Sequence, residues 1–399
     1  MTQPEDKLWE TTPRRFGRRL RAAMVGGGIG SFIGETHRIA LRADGLWDLV
    51  AGSFSRRPDV NRETAENLLI AGERNYASYR DLIENESRRP DRVDAVVLAT
   101  PPSDHREIGA ALLQAGFHLI CEKPFSITSQ EACALKSAAR AADRRILLTN
   151  CYSAYPMVRL ARDLVRRGEL GQIRIVNVEF SSGAYAGGVD PDTPLPWRMD
   201  PNELGGLGML ADLGAHVFQM AEFVSSQEIS KVAAHLETLE PNHKVIDNAF
   251  VDARFDNGAV GHFWTTYQAT GHLHGLRFSI FGDRASLEWD HESAEMMWLR
   301  RKDQPPMLLT KAGVMSTPVA LRASRFSAGH PDGYALAFAT LYRDFAHLLM
   351  RDGLGVPSGD IAADLPSADA GISSMRVIEA VVRSGSKGHQ WTEVDRNHA

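Results

Sequence analysis

The run Arg21-Ala22-Ala23-Met24-Val25-Gly26-Gly27-Gly28-Ile29-Gly30-Ser31 decides how this chain is read. A short apolar stretch that ends in glycines, with a helical pattern beginning at Ile33, describes a strand, a tight turn and a helix N-terminus in succession. Glycines there let the main chain approach a pyrophosphate, whose charge the helix N-terminus favours. The three fingerprint positions are Gly26, Gly28 and residue 31, the last being Ser31 rather than glycine. A glycine motif alone can be a bland tight turn, so its context carries the weight. Cofactor contacts are expected at Gly26, Gly28, Ile29 and Gly30.

Working outward, strands are expected over Leu46–Ser53, Val93–Ala99, Phe117–Cys121 and Ile146–Thr149. Helical patterns separate them at Ile33–Leu41, Arg62–Leu69, His105–Gln114 and Glu131–Ala142. Alternation of this kind is the mark of a parallel sheet with crossover helices. Residues 19–150 therefore read as a dinucleotide-binding Rossmann domain, preceded by a polar, loosely docked arm over 1–18. After Asn150 the character changes. A helix over Met157–Arg167 leads to strands near Ile173–Phe180, Ser230–Leu239, Ala249–Phe255, Gly258–Tyr267 and Leu276–Phe281, with Asp256-Asn257-Gly258 as a hairpin signal. Residues 302–325 lack periodicity, and helices follow over Tyr334–Met350 and Ala368–Ser384. Residues 151–399 thus read as an α+β domain with a large, mostly antiparallel open sheet, and the chain as α/β overall.

The chain has 399 residues, 43% hydrophobic and 24% charged, with a net charge of -5. That is the make-up of an ordinary globular protein long enough for two cores. It gives no basic stripe for nucleic acid and no apolar run long enough to span a bilayer. Arg14-Arg15-Phe16 superficially resembles a twin-arginine export signal, but cleavage after it would remove the glycine loop, so a cytoplasmic protein is expected. Cys121, Cys133 and Cys151 are odd in number and lack CxxC spacing, which excludes a fully paired disulfide framework. No metal is expected.

The second strand would end in an acid if it read ribose hydroxyls. Instead it runs into Ser53-Phe54-Ser55-Arg56-Arg57. Ser55, Arg56 and Arg57 can hold a 2′-phosphate, or the arginines can simply lie on a solvated helix entry. NAD and NADP both stay open.

Three further segments, Ala99-Thr100-Pro101-Pro102-Ser103-Asp104-His105, Cys121-Glu122-Lys123-Pro124 and Asp212-Leu213-Gly214-Ala215-His216, follow the glycine loop in order. Together they resemble the glucose–fructose oxidoreductase, inositol dehydrogenase and rhizopine-catabolism (Gfo/Idh/MocA) family. The likeness runs from Arg21 to about Thr392 and includes Gly168-Glu169-Leu170-Gly171. The Gly26–Gly34 run with His37-Arg38 resembles a subgroup acting on anhydrosugars and glycosides, levoglucosan dehydrogenases among them. The resemblance implies a Lys-Pro bond that is often cis and a sheet that often builds dimers or tetramers. It also implies a small carbohydrate substrate.

On that resemblance Lys123 faces the substrate, where its cation can polarise the reacting oxygen. Glu122 would hold Lys123 or a nicotinamide ribose hydroxyl, and Thr100, Pro101 and His105 would line the nicotinamide. His216 is suited to take the alcohol proton. Asp212, four residues earlier on one helical face, can orient the substrate hydroxyl or stabilise the imidazolium. Gly205, Gly206, Gly208 and Gly214 fit a close approach of backbone to a ligand. Trp197 and Arg198 are expected at the substrate wall, with Arg198 binding an anionic group or pairing with an acid such as Asp200. Tyr155, Tyr185 and His330 are candidate sugar contacts. Many relatives carry an arginine within the stretch Asn150-Cys151-Tyr152-Ser153-Ala154-Tyr155, and this chain does not. Hydride transfer to or from a secondary hydroxyl of a sugar, anhydrosugar, glycoside or cyclitol is the leading reading. An NAD-dependent glycosidase, oxidising a ring hydroxyl transiently before elimination, water addition and re-reduction, would need the same groups, and an anionic or sulfonated sugar glycoside would suit it if Arg198 faces the pocket. A dinucleotide-sensing protein on this fold is the non-enzymatic alternative.

Overall fold

The computed structural model describes residues 11–190, 192–193, 195–204 and 206–396. The chain divides into two compact units, one comprising residues up to 125, 133–151 and 334–369, the other 126–132, 152–333 and 370 onward.

In the first unit, β1 (Leu20–Gly26), β2 (Trp47–Ser53), β3 (Ala95–Ala99), β4 (His118–Cys121) and β5 (Ile146–Leu148) form one parallel sheet in the order β2-β1-β3-β4-β5. Val96, Val97 and Leu98 are wholly buried, as expected of a central parallel strand covered on both faces. The helix Gly333–Gly353 belongs here, so a single cut at residue 150 does not describe the unit. Its Phe345 stacks on Trp47, whose indole N–H donates to the Tyr342 carbonyl at 3.0 Å. A helix at Tyr79–Glu86 had no clear apolar period to announce it. Ser78 caps it by accepting from the Asp81 N–H, and Glu86 is buried against Arg74. The expected loose arm is docked by its end, where Arg18 grips Asp94 through two 2.7 Å bonds. Residues 1–10 of that arm lie outside the described residues.

The second unit is built on nine strands: β6 (Ile173–Ser181), β7 (Ile229–Glu237), β8 (Asn248–Phe255), β9 (Val260–Thr266), β10 (Gly275–Gly282), β11 (Ala285–Asp290), β12 (Met296–Arg301), β13 (Met307–Thr310) and β14 (Thr392–Glu393). Their order is β13-β12-β11-β10-β6-β9-β8-β7-β14, antiparallel throughout except for β6 beside β9. Alternation sets the faces: Val251, Ala253 and Phe255 point into the core, while Phe250 and Arg254 point out. At the β8–β9 hairpin Gly258 adopts φ +87° and donates to the Phe255 carbonyl at 3.0 Å. The aperiodic stretch after residue 302 contains β13 and a short helix, Pro318–Ala323. Buried Lys311 pins it through Asp332 at 2.9 Å and Glu295 at 3.4 Å. Among the described residues no helix is long and apolar enough to cross a membrane.

The helix Ala215–Ser225 carries a pH-sensitive group. Glu222 accepts from the Ile229 N–H and the Ser373 hydroxyl, yet burial pushes its pKa from 4.5 up to about 7. Between those values the unfolded chain has released the proton that the folded chain keeps, so stability falls as pH rises through the window and levels off above it. Glu222→Gln should therefore raise Tm more at pH 8 than at pH 5. A gain that is the same at both would contradict this.

Candidate active site

In the first unit the glycine loop shows why side chains are absent. Gly26 has φ +80°, and a Cβ there would sit 2.5 Å from the Ala99 carbonyl oxygen. Gly34 plays the helix-packing part that Ser31 cannot, since its added Cβ would lie 2.1 Å from the Gly27 oxygen. Ser31 instead caps the helix Phe32–Ala43, accepting from the Gly34 N–H. At Gly30, φ is +83° and a Cβ would meet open space, so the loop's outer side is clear for a phosphate. The Ile29 N–H donates to Thr64 Oγ1 at 3.0 Å. Facing the loop from β3, Thr100 has a buried Oγ1 without a hydrogen-bond partner among the described residues. A cradle closed to side chains and an orphaned hydroxyl fit a bound dinucleotide.

The end of β2 speaks to the 2′-position. Arg56 pairs with Asp104 and Arg57 with Asp59 at 2.7 Å, while Ser55 Oγ accepts from the Arg57 N–H. Both arginines thus have carboxylate partners within the protein.

The turn after β4 is held from behind. Lys123–Pro124 is a cis peptide. Glu122, 6% exposed, accepts from the Lys123 N–H at 3.3 Å and from the Thr149 hydroxyl. His37 Nε2 lies 3.1 Å from Oε1, the oxygen that also takes the Thr149 hydroxyl, and His37 Nδ1 bonds the Tyr342 hydroxyl at 2.7 Å. Burial would raise the Glu122 pKa, but His37, Thr149 and Lys123 outweigh it and the net shift is downward. Glu122 therefore anchors the Lys123 main chain. His105 departs from its expected place at the cofactor, because the ring is 0% exposed. Its Nε2 lies 3.0 Å from the Thr100 carbonyl and its Nδ1 3.1 Å from that of Pro124, so it braces both loops from inside. Burial also pushes its pKa down. Pro101 stays exposed beside Thr100.

The second unit holds the other constellation. Leu210–Gly214 is a π-helical turn that runs straight into Ala215–Ser225. Its wider winding breaks the four-residue stacking expected for Asp212 and His216, and such turns recur at functional sites. Asp212 Oδ2 accepts from Arg198 Nε at 2.9 Å and from the Tyr267 hydroxyl at 2.7 Å. Arg198 thus pairs with Asp212 rather than Asp200, and its guanidinium stacks on Trp197 at 4.3 Å. Tyr185 packs edge-on against Tyr267 at 4.9 Å. Burial, then Asp212, hold the Tyr267 pKa well above 10.0, so it stays a donor. His216, 6% exposed, meets the edge of Tyr152 at 4.7 Å and lies 6.0 Å from Phe180. Gly208, with φ +49°, accepts from the Asp212 N–H through its carbonyl, while Gly205 lies outside the described residues.

Two expected sugar contacts are placed otherwise. Tyr155 is 2% exposed, and its hydroxyl bonds His291 Nε2 at 3.0 Å, which places it behind that ring. His330 sits with Ser327 in the loop pinned by Lys311, a separate cluster. Sequence reasoning named His37 only within a motif resemblance, without a role, and missed Thr149, Tyr152 and Tyr267. Of these three, Tyr152 alone carried a signal, being within the stretch that lacks the relatives' arginine.

Residues 20–150 match the oxidoreductase family with an NAD-binding Rossmann fold, and residues 158–288 match the GFO/IDH/MocA C-terminal domain. The chain is 32% identical to the uncharacterized oxidoreductase YfiI of Bacillus subtilis, over 95% of this chain and 98% of that one. Levoglucosan dehydrogenase of Pseudarthrobacter phenanthrenivorans is 28% identical over 68% of this chain and 74% of its own. An inositol dehydrogenase homologue from Azotobacter vinelandii, solved with NAD+, superposes with a TM-score of 0.90 at 34% identity, covering 95% and 98% of the two chains. The same enzyme has been solved with NADH and myo-inositol. This chain belongs to the Gfo/Idh/MocA oxidoreductase family and carries its NAD-binding Rossmann domain.

The Arg56–Asp104 pair yields a test of cofactor choice. Asp104→Asn frees Arg56 and should lower the KM for NADP+ by about fivefold, the scale of a surface ion pair, with little change for NAD+. An unaltered NADP+ KM would show that Arg56 does not reach the phosphate.

Proposed function

We propose that this enzyme moves a hydride between NAD and a secondary hydroxyl of a cyclic polyol, a sugar, anhydrosugar, glycoside or cyclitol. When bound, nicotinamide supplies the hydride acceptor at C4. Lys123 hydrogen-bonds the reacting oxygen and stabilises the negative charge it gains. His216 takes the hydroxyl proton as the carbonyl forms and returns it in the reverse direction. Asp212 shapes the site rather than moving a proton: it fixes Arg198 and Tyr267, and with Tyr185 and Trp197 these present donors and aromatic faces to substrate. The observation that carries the reading is the buried Glu122 carboxylate anchoring the main chain of Lys123. The relatives support the substrate class, since myo-inositol and levoglucosan are both uncharged rings bearing hydroxyls. The internal pairs of Arg56 and Arg57 favour NAD over NADP. Three free thiols and use of the NAD pool suit the cytoplasm.

We also infer self-association through the outer face of the nine-stranded sheet. Strand register puts Ile175, Phe250, Trp264, Trp298 and Leu308 on one face, and Phe250 stacks on Trp264 at 6.0 Å. Phe250 is 42% and Leu308 45% exposed, large apolar side chains left on the outer face of the sheet.

Lys123→Ala should cut turnover of myo-inositol or levoglucosan by at least about a hundredfold, the scale of one lost charge-stabilising donor, with NADH binding still measurable. Near-normal turnover would remove Lys123 from the mechanism. Aryl glycosides belong in the same assay, because aglycone release without net NADH would replace the dehydrogenase reading with the glycosidase one. Sedimentation equilibrium should return a dimer or tetramer, weakened by Phe250→Glu; a monomeric wild type would refute the proposed interface.

A further inference from the structure

His216 belongs to a closed circuit of five rings in the second unit. Tyr152 lies 4.7 Å from His216 and 5.3 Å from His291; Phe180 lies 6.0 Å from His216 and 5.6 Å from His274; His274 and His291 are 6.0 Å apart. Tyr152 and Phe180 are buried spacers, whereas His274 is exposed and His291 half-buried. An exposed imidazole on the same aromatic cluster as the proposed acid/base is not part of the mechanism above.

Its position is built, not incidental. His274 ends a loop fixed at His272 by the end of β6 and the turn after it: the His272 carbonyl accepts from Gly183 N–H at 2.8 Å, and His272 Nδ1 lies 3.1 Å from Ser181 Oγ. Next to it, Gly275 lets the chain pass where a Cβ would lie 2.4 Å from Ser181 Oγ. His291 completes the anchor. Its ring bonds the Tyr155 hydroxyl and the main chain of His274, so both of its partners are protein groups.

We propose that His274 contacts the substrate, reading a hydroxyl away from the reacting carbon, and that His291 is the positioning residue that holds it there, so that the pair selects uncharged polyol rings. This rests on the assignment of His216 as acid/base. No member of the circuit carries a permanent charge, and a neutral imidazole offers one donor and one acceptor, the complement of a hydroxyl. Burial and then the neighbouring His274 push the His291 pKa down, which opposes gathering positive charge here for a phosphate or carboxylate. Arg198, a cation of the same unit, is matched by Asp212.

The test compares wild type, His274→Ala, His291→Ala and His291→Asn with NAD+ and four probes: myo-inositol, levoglucosan, glucose and glucose 6-phosphate. Wild type should favour the uncharged rings in kcat/KM. His274→Ala should raise their KM about tenfold, the worth of one hydrogen bond, with a much smaller fall in kcat and an unchanged Kd for NADH. His291→Ala should copy it and His291→Asn recover part of the loss, a rescue that loss of packing alone would not give. An unchanged KM in His274→Ala, or a wild type that prefers glucose 6-phosphate to glucose, overturns the proposal. If Lys123→Ala still abolishes turnover in that case, the dehydrogenase reading stands without it. A wild type that reduces NAD+ with none of the probes overturns both.

Discussion

A carboxylate that is 6% exposed must be fully partnered, and much of the first unit is arranged around Glu122 for that reason. Its partners come from separate stretches of chain: His37 from the helix that follows the glycine loop, Thr149 from the end of β5, and the main chain of Lys123. Tyr342, on the helix Gly333–Gly353, holds His37 in turn. The same charge that orients the lysine turn therefore also ties down the helix whose N-terminus faces the phosphate loop. Removing one of these partners leaves part of a buried carboxylate unsatisfied, at a cost of about 1–3 kcal/mol. His105 works alongside it, joining the Thr100 loop to the Lys123–Pro124 turn from within the core.

Asp212 has a comparable role in the second unit. It engages Arg198 and Tyr267 from a π-helical turn, a winding that carries one more residue in each hydrogen-bonded loop than an α-helix. The irregularity is confined to Leu210–Gly214, directly ahead of His216. Gly208, with its positive φ, starts this segment, and its carbonyl receives the Asp212 N–H. The irregular winding thus bridges the turns before Leu210 and the regular helix Ala215–Ser225.

Much of this was legible in the residues because the signals were local. Short β-branched runs and capped helices announced the parallel sheet, and the Asn257-Gly258 turn announced its hairpin. The order of the glycine loop, Glu122-Lys123-Pro124 and Asp212 to His216 announced the family. What stayed hidden depended on contacts distant in sequence. Gly34 could not be recognised as the packing glycine until Gly27 was seen against it. Tyr267 and Asp212 are 55 residues apart. The four-residue spacing of Asp212 and His216 suggested an α-helical pair, because no one-dimensional pattern marks a π-turn. His105 was read as a cofactor contact from its loop, whereas its burial comes from the fold around it. Strands β11 to β13 escaped notice because they are short and gain their stability from neighbouring strands.

Under the proposed function Lys123 and His216 would act on one reacting oxygen, one stabilising its charge and the other moving its proton. Groups that work as a unit show losses that do not multiply. A double-mutant cycle on kcat/KM with Lys123→Ala, His216→Ala and the combined variant measures this directly, using myo-inositol or levoglucosan as substrate. The double variant should fall little further than the worse single variant. Losses that multiply in full would mean that the two residues act independently, and would contradict it.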